Sequence, residues 1–203
     1  MSALKGKSVH NSLYLGLVSA GILISSPSFA QNNVFGVSIA SQRDPHDFNK
    51  SVSTVTGVSY SHVFDNKLIL DASMTYFDVS NSNTWHLNSQ IGLGYRYEFS
   101  DVLSVVGIAS IGSRAQNTST DFPYYSLHGA VDWKIMPAVT WSVVTFRYRN
   151  AFNTDYEFET PALGSALGFR IDDNNSISLN YLREWDEGKV ADNLFGLGYQ
   201  YHF

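Results

Sequence analysis

Charged side chains alternate with apolar ones in several segments of this chain, and these charged residues are the ones that could carry chemistry. Tyr95 to Glu98 reads Tyr-Arg-Tyr-Glu, and Phe146 to Arg149 reads Phe-Arg-Tyr-Arg. In a β-strand successive side chains point to opposite faces, so each segment places its charges on one face. The predicted polar face carries ten such residues: Asp71, Arg96, Glu98, Asp132, Lys134, Arg147, Arg149, Arg170, Glu184 and Asp186.

Two hypotheses about this polar face stay open. Five of its residues are acids and five are bases, and in a narrow enclosed space such charges must be paired or hydrated because an isolated buried ion is strongly destabilising. The first hypothesis is therefore a salt-bridged plug. The second is a narrow water-filled pore, in which guanidinium groups suit the planar carboxylates and phosphates of anionic solutes such as acidic sugars. Its basic track would be Arg96, Lys134, Arg147, Arg149 and Arg170.

Histidine-based catalysis is the chemistry that the sequence favours least. A nucleophile needs a base within hydrogen-bond reach and a third group that orients the base. Ser126 and His128 lie two residues apart on one strand face, roughly 6.5–7 Å from each other, which is too far for a direct bond. The chain has no cysteine, which excludes disulfides, thiolate chemistry and cysteine zinc sites. We predict no catalytic site, cofactor or metal site.

The alternation that positions these residues recurs along the chain. The last apolar residues of five alternating segments fall at positions 64, 99, 135, 171 and 203, a spacing typical of a repeated hairpin. The pattern predicts ten strands, with eight as the alternative if two short strands belong to loops. A bulge is expected near Val143, where the phase of the seventh strand changes. The phase of the fifth strand stays open because both its faces are apolar. The ten strands are expected at about 33–41, 53–64, 67–78, 85–99, 102–113, 123–135, 139–150, 160–171, 176–186 and 192–203.

The connections and the outer face together predict the fold class. Short turns near 65–66, 100–101, 136–138 and 172–175 alternate with longer loops near 42–52, 79–84, 114–122, 151–159 and 187–191. No apolar run after residue 30 reaches the roughly 20 residues of a spanning helix, so a membrane-spanning chain must form a closed barrel. Aromatic residues at both strand ends predict two girdles, with no second apolar face for a two-layer core. We predict an all-β, closed, antiparallel, up-and-down transmembrane β-barrel over residues 31–203.

Residues 1–30 have the pattern of a secretory signal peptide. Lys5 and Lys7 precede an apolar stretch over 13–24, and Ser28-Phe29-Ala30 fits a cleavage site before Gln31. Removal of this segment leaves 173 residues, with 11 of the 13 basic residues and all 18 acids, for a formal charge of −7. So acidic a chain is not expected to bind nucleic acid.

The last strand carries a resemblance to a known class. Its outward row of Phe195, Leu197, Tyr199, Tyr201 and Phe203 resembles the C-terminal assembly signal of bacterial outer-membrane barrels. With its signal peptide and alternating strands, the whole chain resembles small outer-membrane barrels of the OmpA-like and porin-like class. The resemblance implies a place in the bacterial outer membrane, contact with its lipid, and recognition of Tyr199, Tyr201 and Phe203 by the barrel-assembly machinery after escort by periplasmic chaperones.

Two shorter segments resemble a narrower group. Phe146-Arg147-Tyr148-Arg149 and Tyr181-Leu182-Arg183-Glu184-Trp185 are similar to segments of oligogalacturonate-specific porins, which have more strands than this chain allows. The sequence therefore predicts a non-enzymatic outer-membrane barrel with a narrow, charge-paired lumen and a structural or membrane-integrity role. The alternative is a narrow porin for small anionic solutes such as acidic oligosaccharides, and an outer-membrane lipid-modifying hydrolase is a third reading.

Overall fold

The computed structural model describes residues 32–203 apart from 157 and 187, and the predicted signal peptide lies outside these residues. Ten strands make up the described chain, and none of its segments is a helix long and apolar enough to cross a membrane. The strands are β1 Asn33–Arg43, β2 Ser51–Val63, β3 Leu68–Val79, β4 Trp85–Glu98, β5 Leu103–Gln116, β6 Phe122–Met136, β7 Val139–Ala151, β8 Ala162–Arg170, β9 Asn175–Asp186 and β10 Lys189–His202.

Every strand pairs antiparallel with its neighbours in sequence, and β1 pairs with β10 to close the sheet. The closing register runs from Val34 opposite His202 to Arg43 opposite Asn193. Closure leaves no strand edge unpaired. The prediction of a closed up-and-down barrel is confirmed, with ten strands rather than eight.

The two faces of the barrel follow the predicted alternation. On β3, for example, Leu68, Met74 and Tyr76 are exposed on the outer wall, whereas Ile69 and Asp71 are buried inside. The structure also settles the phase of β5, which the sequence left open. The inward residues of β5 are Ser104, Val106, Ile108, Ser110 and Arg114.

Two β-bulges determine which side chains face the lumen on strands that carry the polar residues. Val131 pairs with Val144 and Asp132 with Ser142, so Val143 is the extra residue and the predicted bulge is confirmed. A second bulge lies at Ala191, between Val190 and Asp192 of β10. The expected long loop over 187–191 is wrong, because the break in alternation at this bulge looks like a loop in the sequence.

The two ends of the barrel differ in their connections. The turn side holds both ends of the barrel chain and the connections 64–67, 99–102, 137–138 and 171–174, while the loop side holds 44–50, 80–84, 117–121, 152–161 and 187–188. In the β8–β9 turn the N–H of Asn174 donates to the Asp172 carboxylate at 2.8 Å and the N–H of Asn175 at 2.9 Å. These hydrogen bonds favour the ionised carboxylate, so the pKa of Asp172 is lowered.

Two glycines on facing strands allow a matched test of how tightly the wall is packed. A Cβ at Gly94 would lie 2.6 Å from Ile108 Cγ1, whereas a Cβ at Gly107 would meet nothing within 4 Å. We expect Gly94→Ala to lower the free energy of unfolding by about 1–3 kcal/mol, because overpacking displaces β5. Gly107→Ala should cause no loss. Urea unfolding in detergent micelles measures both, and equal effects would contradict this account of the packing.

Candidate functional site

A buried carboxylate bound by two arginines lies in the loop-side half of the lumen. Arg147 and Arg149 point inward from β7, and the Nη2 atoms of both bond the Oε2 atom of Glu184 on β9, that of Arg149 at 3.4 Å. Ala162 of β8 is paired with Arg147 on one side and with Glu184 on the other. Because the alanine methyl group is small, the guanidinium reaches across β8. All three charged side chains are at least 97% buried.

Two further charged residues complete this group, which we call the lumen charge cluster: Arg114, Arg147, Arg149, Glu184 and Asp192. The Asp192 carboxylate accepts a hydrogen bond from Gln42 Nε2 at 3.0 Å and interacts electrostatically with Arg147 and Arg149. With three arginines and two acids, the cluster has an excess of one positive charge. Neither residue was among the predicted lumen residues: Arg114 fell in the expected loop over 114–122, and Asp192 stood at the first position of the expected tenth strand, next to the expected loop over 187–191.

The connection between β7 and β8 inserts an aromatic ring into the loop-side mouth. Phe158 is 4% exposed. Its ring lies 5.2 Å from that of Phe122 and 5.4 Å from that of Tyr124, between ring centroids. The guanidinium carbons of Arg114 and Arg149 lie 5.1 and 5.3 Å from the Phe158 centroid, within cation–π range. The insertion was not predicted, because nothing in the alternation pattern shows where a loop folds.

Phe158 belongs to an apolar cluster that the sequence analysis did not predict. The sheet closes on itself without a two-layer core, yet several inward positions at this end carry large rings. The cluster consists of Val55, Phe77, Phe122, Tyr124, Ala151, Phe158, Ala162, Leu182 and Leu194, with Ala40 and Tyr156 packed against it.

The remaining predicted lumen residues lie nearer the turn side and do not join the lumen charge cluster. Arg96 interacts electrostatically with Asp132 and Glu98, and Asp132 accepts a 2.6 Å hydrogen bond from Ser142 Oγ. Lys67 pairs with Glu98 at 3.0 Å near solvent. Other predicted residues lie apart from these contacts. Lys134 is half-buried near the turn side, Arg170 pairs with Asp173 at 3.0 Å in the β8–β9 turn, and Asp71 is buried with no ion pair to another described residue.

Small residues line the middle of the lumen. A cavity of about 30 Å³, which has room for bound water, lies between β1, β2, β3, β9 and β10. Its polar and small lining includes Gly36, Ser38, Gly57, Ser59, Ser178 and Gly198.

Four histidines of the barrel lie in separate places. His86 stacks on Phe77 with ring centroids 4.6 Å apart, and His128 is opposite Arg147 inside the barrel. On the turn side His62 Nδ1 lies 2.9 Å from Asn33 Oδ1, and His202 Nε2 lies 3.1 Å from Ser176 Oγ. Over the described residues, no group of three His, Asp or Glu side chains could hold a metal ion.

The arginine–glutamate contact predicts a large stability effect. We expect Glu184→Ala to lower the free energy of unfolding by about 3–5 kcal/mol, because it leaves two buried guanidinium groups without their carboxylate. The matched control is Lys67→Ala, which breaks the solvent-exposed pair with Glu98 and should cost about 0–1 kcal/mol. Urea midpoints in detergent micelles measure both. A similar small loss for the two variants would show that the lumen charge cluster is hydrated.

The chain matches no protein-family model and no curated protein sequence. Its fold matches solved structures. The COG4313 outer membrane channel of Pseudomonas putida F1 has TM-score 0.56 and 9% identity, covering 92% of this chain and 100% of that one. The beta domain of the Bordetella autotransporter BrkA has TM-score 0.56 and 10% identity over 86% and 100%. The NanC porin has TM-score 0.52 and 10% identity over 83% and 100%.

The KdgM porin, which has also been solved in complex with disordered oligogalacturonate, is similar at 14% identity and TM-score 0.48, over 84% of this chain and 99% of that one. A likeness at this level carries no information about the solute. The three better-matched structures share the fold of this chain at TM-scores above 0.5. The ten-stranded closed sheet and the likeness to these three structures together give this chain the fold of a small, porin-like, outer-membrane β-barrel protein.

Proposed function

We propose that this protein is a structural barrel of the bacterial outer membrane, with a closed lumen and a role in membrane integrity. The observation that carries the proposal is the Phe158 ring, packed across the loop-side mouth directly against two guanidinium groups of the lumen charge cluster. At the same level Glu184 is bound by Arg147 and Arg149. Strand side chains and an inserted loop thus fill the same cross-section.

The outer wall supports a membrane location. Large apolar side chains are exposed around the whole barrel, and their middle zone is aliphatic, as at Ile39, Ile91, Leu179 and Leu197. Such a wall would be unstable in water but fits the hydrocarbon of a bilayer. In outer-membrane barrels short turns face the periplasm and longer loops face outward, which would place both barrel termini in the periplasm.

The lumen itself supports closure. A barrel of this strand number is narrow enough for side chains to fill. The cavity in its middle holds about 30 Å³, and the loop-side mouth is occupied by the apolar cluster around Phe158. The backbone N–H of Thr160 donates to the carbonyl of Arg149 at 3.0 Å, which anchors the inserted connection to β7.

One observation favours a narrow anion porin as the second candidate. The lumen charge cluster has one more base than acid, and the Nε and Nη1 atoms of Arg147 and Arg149 have no hydrogen-bond partner among the described residues. An anionic solute such as an acidic oligosaccharide would have to displace Phe158 to reach them. The matched structures include a porin and a channel, which accords with a non-enzymatic role and gives no support to a lipid-modifying hydrolase.

Single-channel recording in planar bilayers tests the closed lumen. We expect the refolded wild-type protein to be silent and Phe158→Ala to show openings, because the substitution removes the ring that fills the mouth. Phe152→Ala is the matched control, since Phe152 lies in the same connection but is exposed, and this variant should stay silent. Steady anion-selective openings of the wild type, unchanged in Phe158→Ala, would reject the closed barrel and favour the porin.

We also propose that the terminal aromatic row is read during assembly. Tyr199, Tyr201 and Phe203 project outward on the turn side, and they lie on the strand that closes the barrel against β1. The N–H of Phe203 donates to the carbonyl of Asn33 at 3.0 Å, so the last residue belongs to the closing pair. The row is therefore accessible on the strand whose pairing with β1 closes the barrel, where the barrel-assembly machinery could bind it before closure.

The assembly role predicts different results in cells and in detergent. Phe203→Ala keeps the backbone hydrogen bonds to Asn33 and should fold in micelles with a loss of at most about 1.5–3 kcal/mol. Its insertion into outer membrane in cells should fall sharply. Phe99→Ala, which removes another exposed turn-side ring at the start of the β4–β5 connection, is the control and should insert normally. Equal losses for the two variants in cells would remove any special role for Phe203.

A further inference from the structure

A polar row crosses the outer wall at the loop-side end of β9, β10 and β1. Arg183 of β9 is paired with Asn193 of β10, and Asn193 is paired with Arg43 of β1. Paired residues share a face of the sheet, and Arg183 lies on the same face as its outward neighbours Tyr181 and Trp185. We call Arg183, Asn193 and Arg43 the arginine row.

The charges of the arginine row are not neutralised by the described protein residues. Among the described residues, Arg183 has no hydrogen-bond or ion-pair partner, and its Nε atom is buried. Arg43 Nη1 makes one long bond of 3.4 Å to the Asn49 carbonyl. Unpaired cations on a lipid-facing wall are unfavourable at the bilayer centre and tolerated near the interface, where lipid headgroups can pair with them.

Asn193 supplies a third donor between the two arginines. Its side chain is fully buried although it lies on the outer face. The Tyr181 hydroxyl donates to Asn193 Oδ1 at 2.9 Å, and this bond orients the amide. The Nδ2 atom then has no partner among the described residues. A buried amide donor with no acceptor, flanked by two guanidinium groups, is the arrangement that an anion would complete.

An apolar groove begins directly below the arginine row, toward the middle of the wall. Ser41, Phe195 and Tyr181 form the next outward row of the same three strands. The groove has a volume of about 880 Å³ and continues along Ile39, Leu179 and Leu197. Phe48 of the β1–β2 connection packs against Phe195 with ring centroids 6.0 Å apart. The wall thus places cationic and amide donors above an apolar groove.

We infer that this surface binds the phosphate of a lipid A-type glycolipid in the loop-side leaflet, with an acyl chain lying in the groove. The inference rests on the membrane location in the proposed function. Arg43 and Arg183 lie on strands separated by β10, hence about 10 Å apart at the backbone, so both side chains can reach one group above Asn193. Two guanidinium charges match a phosphate monoester, which carries about −1.5 to −2 at neutral pH. A phosphodiester matches them less well.

Lipid retention by the refolded full barrel in mixed micelles, measured by native mass spectrometry, tests the site. The probes are lipid A, the same glycolipid with its phosphates removed, and phosphatidylglycerol. We expect the wild type to retain lipid A over both other lipids. Arg43→Gln and Arg183→Gln should each weaken retention roughly tenfold, because each removes one charge-assisted hydrogen bond to phosphate. The double variant should lose more.

Arg170→Gln is the matched control, since it removes the same charge at the opposite mouth, and it should leave retention unchanged. An equal loss in Arg170→Gln would show general charge attraction and overturn the site. If the wild type retained phosphatidylglycerol or the dephosphorylated glycolipid as well as lipid A, the proposed site would be wrong. This comparison needs no variant, so the test holds even if the double variant fails to fold. Single-channel recording of Arg43→Gln should match the wild type, which separates this result from the test of lumen closure.

Discussion

The pairing of β1 with β10 is the constraint on which the rest of this structure depends. In a bilayer a strand edge cannot leave its N–H and C=O groups without partners, so a sheet is stable there only when it closes. Each of the ten antiparallel strands pairs with its neighbours in sequence, and the pairing of β1 with β10 closes the sheet. Closure then divides all side chains into an outer wall, which must be apolar, and an inner surface enclosed in a narrow space.

The narrow interior explains the chemistry of the inner surface. Charges there cannot be solvated as they are in water, and they must find partners across the lumen. Glu184 meets two arginines because Ala162, the residue between them on β8, has almost no side chain. At the loop side the remaining space is filled by rings, and Phe158 brings together apolar packing and cation–π contact in one position. Charge pairing and apolar packing therefore occur side by side rather than in separate layers.

Closure also makes the polar residues of the outer wall stand apart from its apolar ones. The large exposed side chains in the middle of the wall are apolar, so the polar Asn193 and its two flanking arginines at the loop-side end differ from them. The bulge at Ala191 shifts the phase of β10 and brings Asp192 inward beside Asn193, which faces out. One irregularity in backbone pairing thus contributes to both the lumen charge cluster and the arginine row.

The sequence by itself determined the elements and their faces. Period-two alternation identifies strands and separates their two faces because successive side chains along a strand point to opposite sides of the sheet. The break in this alternation at Val143 located a bulge for the same reason. It also predicted Arg147, Arg149 and Glu184 as inward charges. Only the tertiary structure decided which of these meet, since that depends on closure, register and the size of Ala162. Three further features were visible only in the folded chain: the inward position of Arg114, the bulge at Ala191 and the insertion of Phe158. A strand with two apolar faces has no readable phase, and the path of a loop is set by the space that the strands leave open.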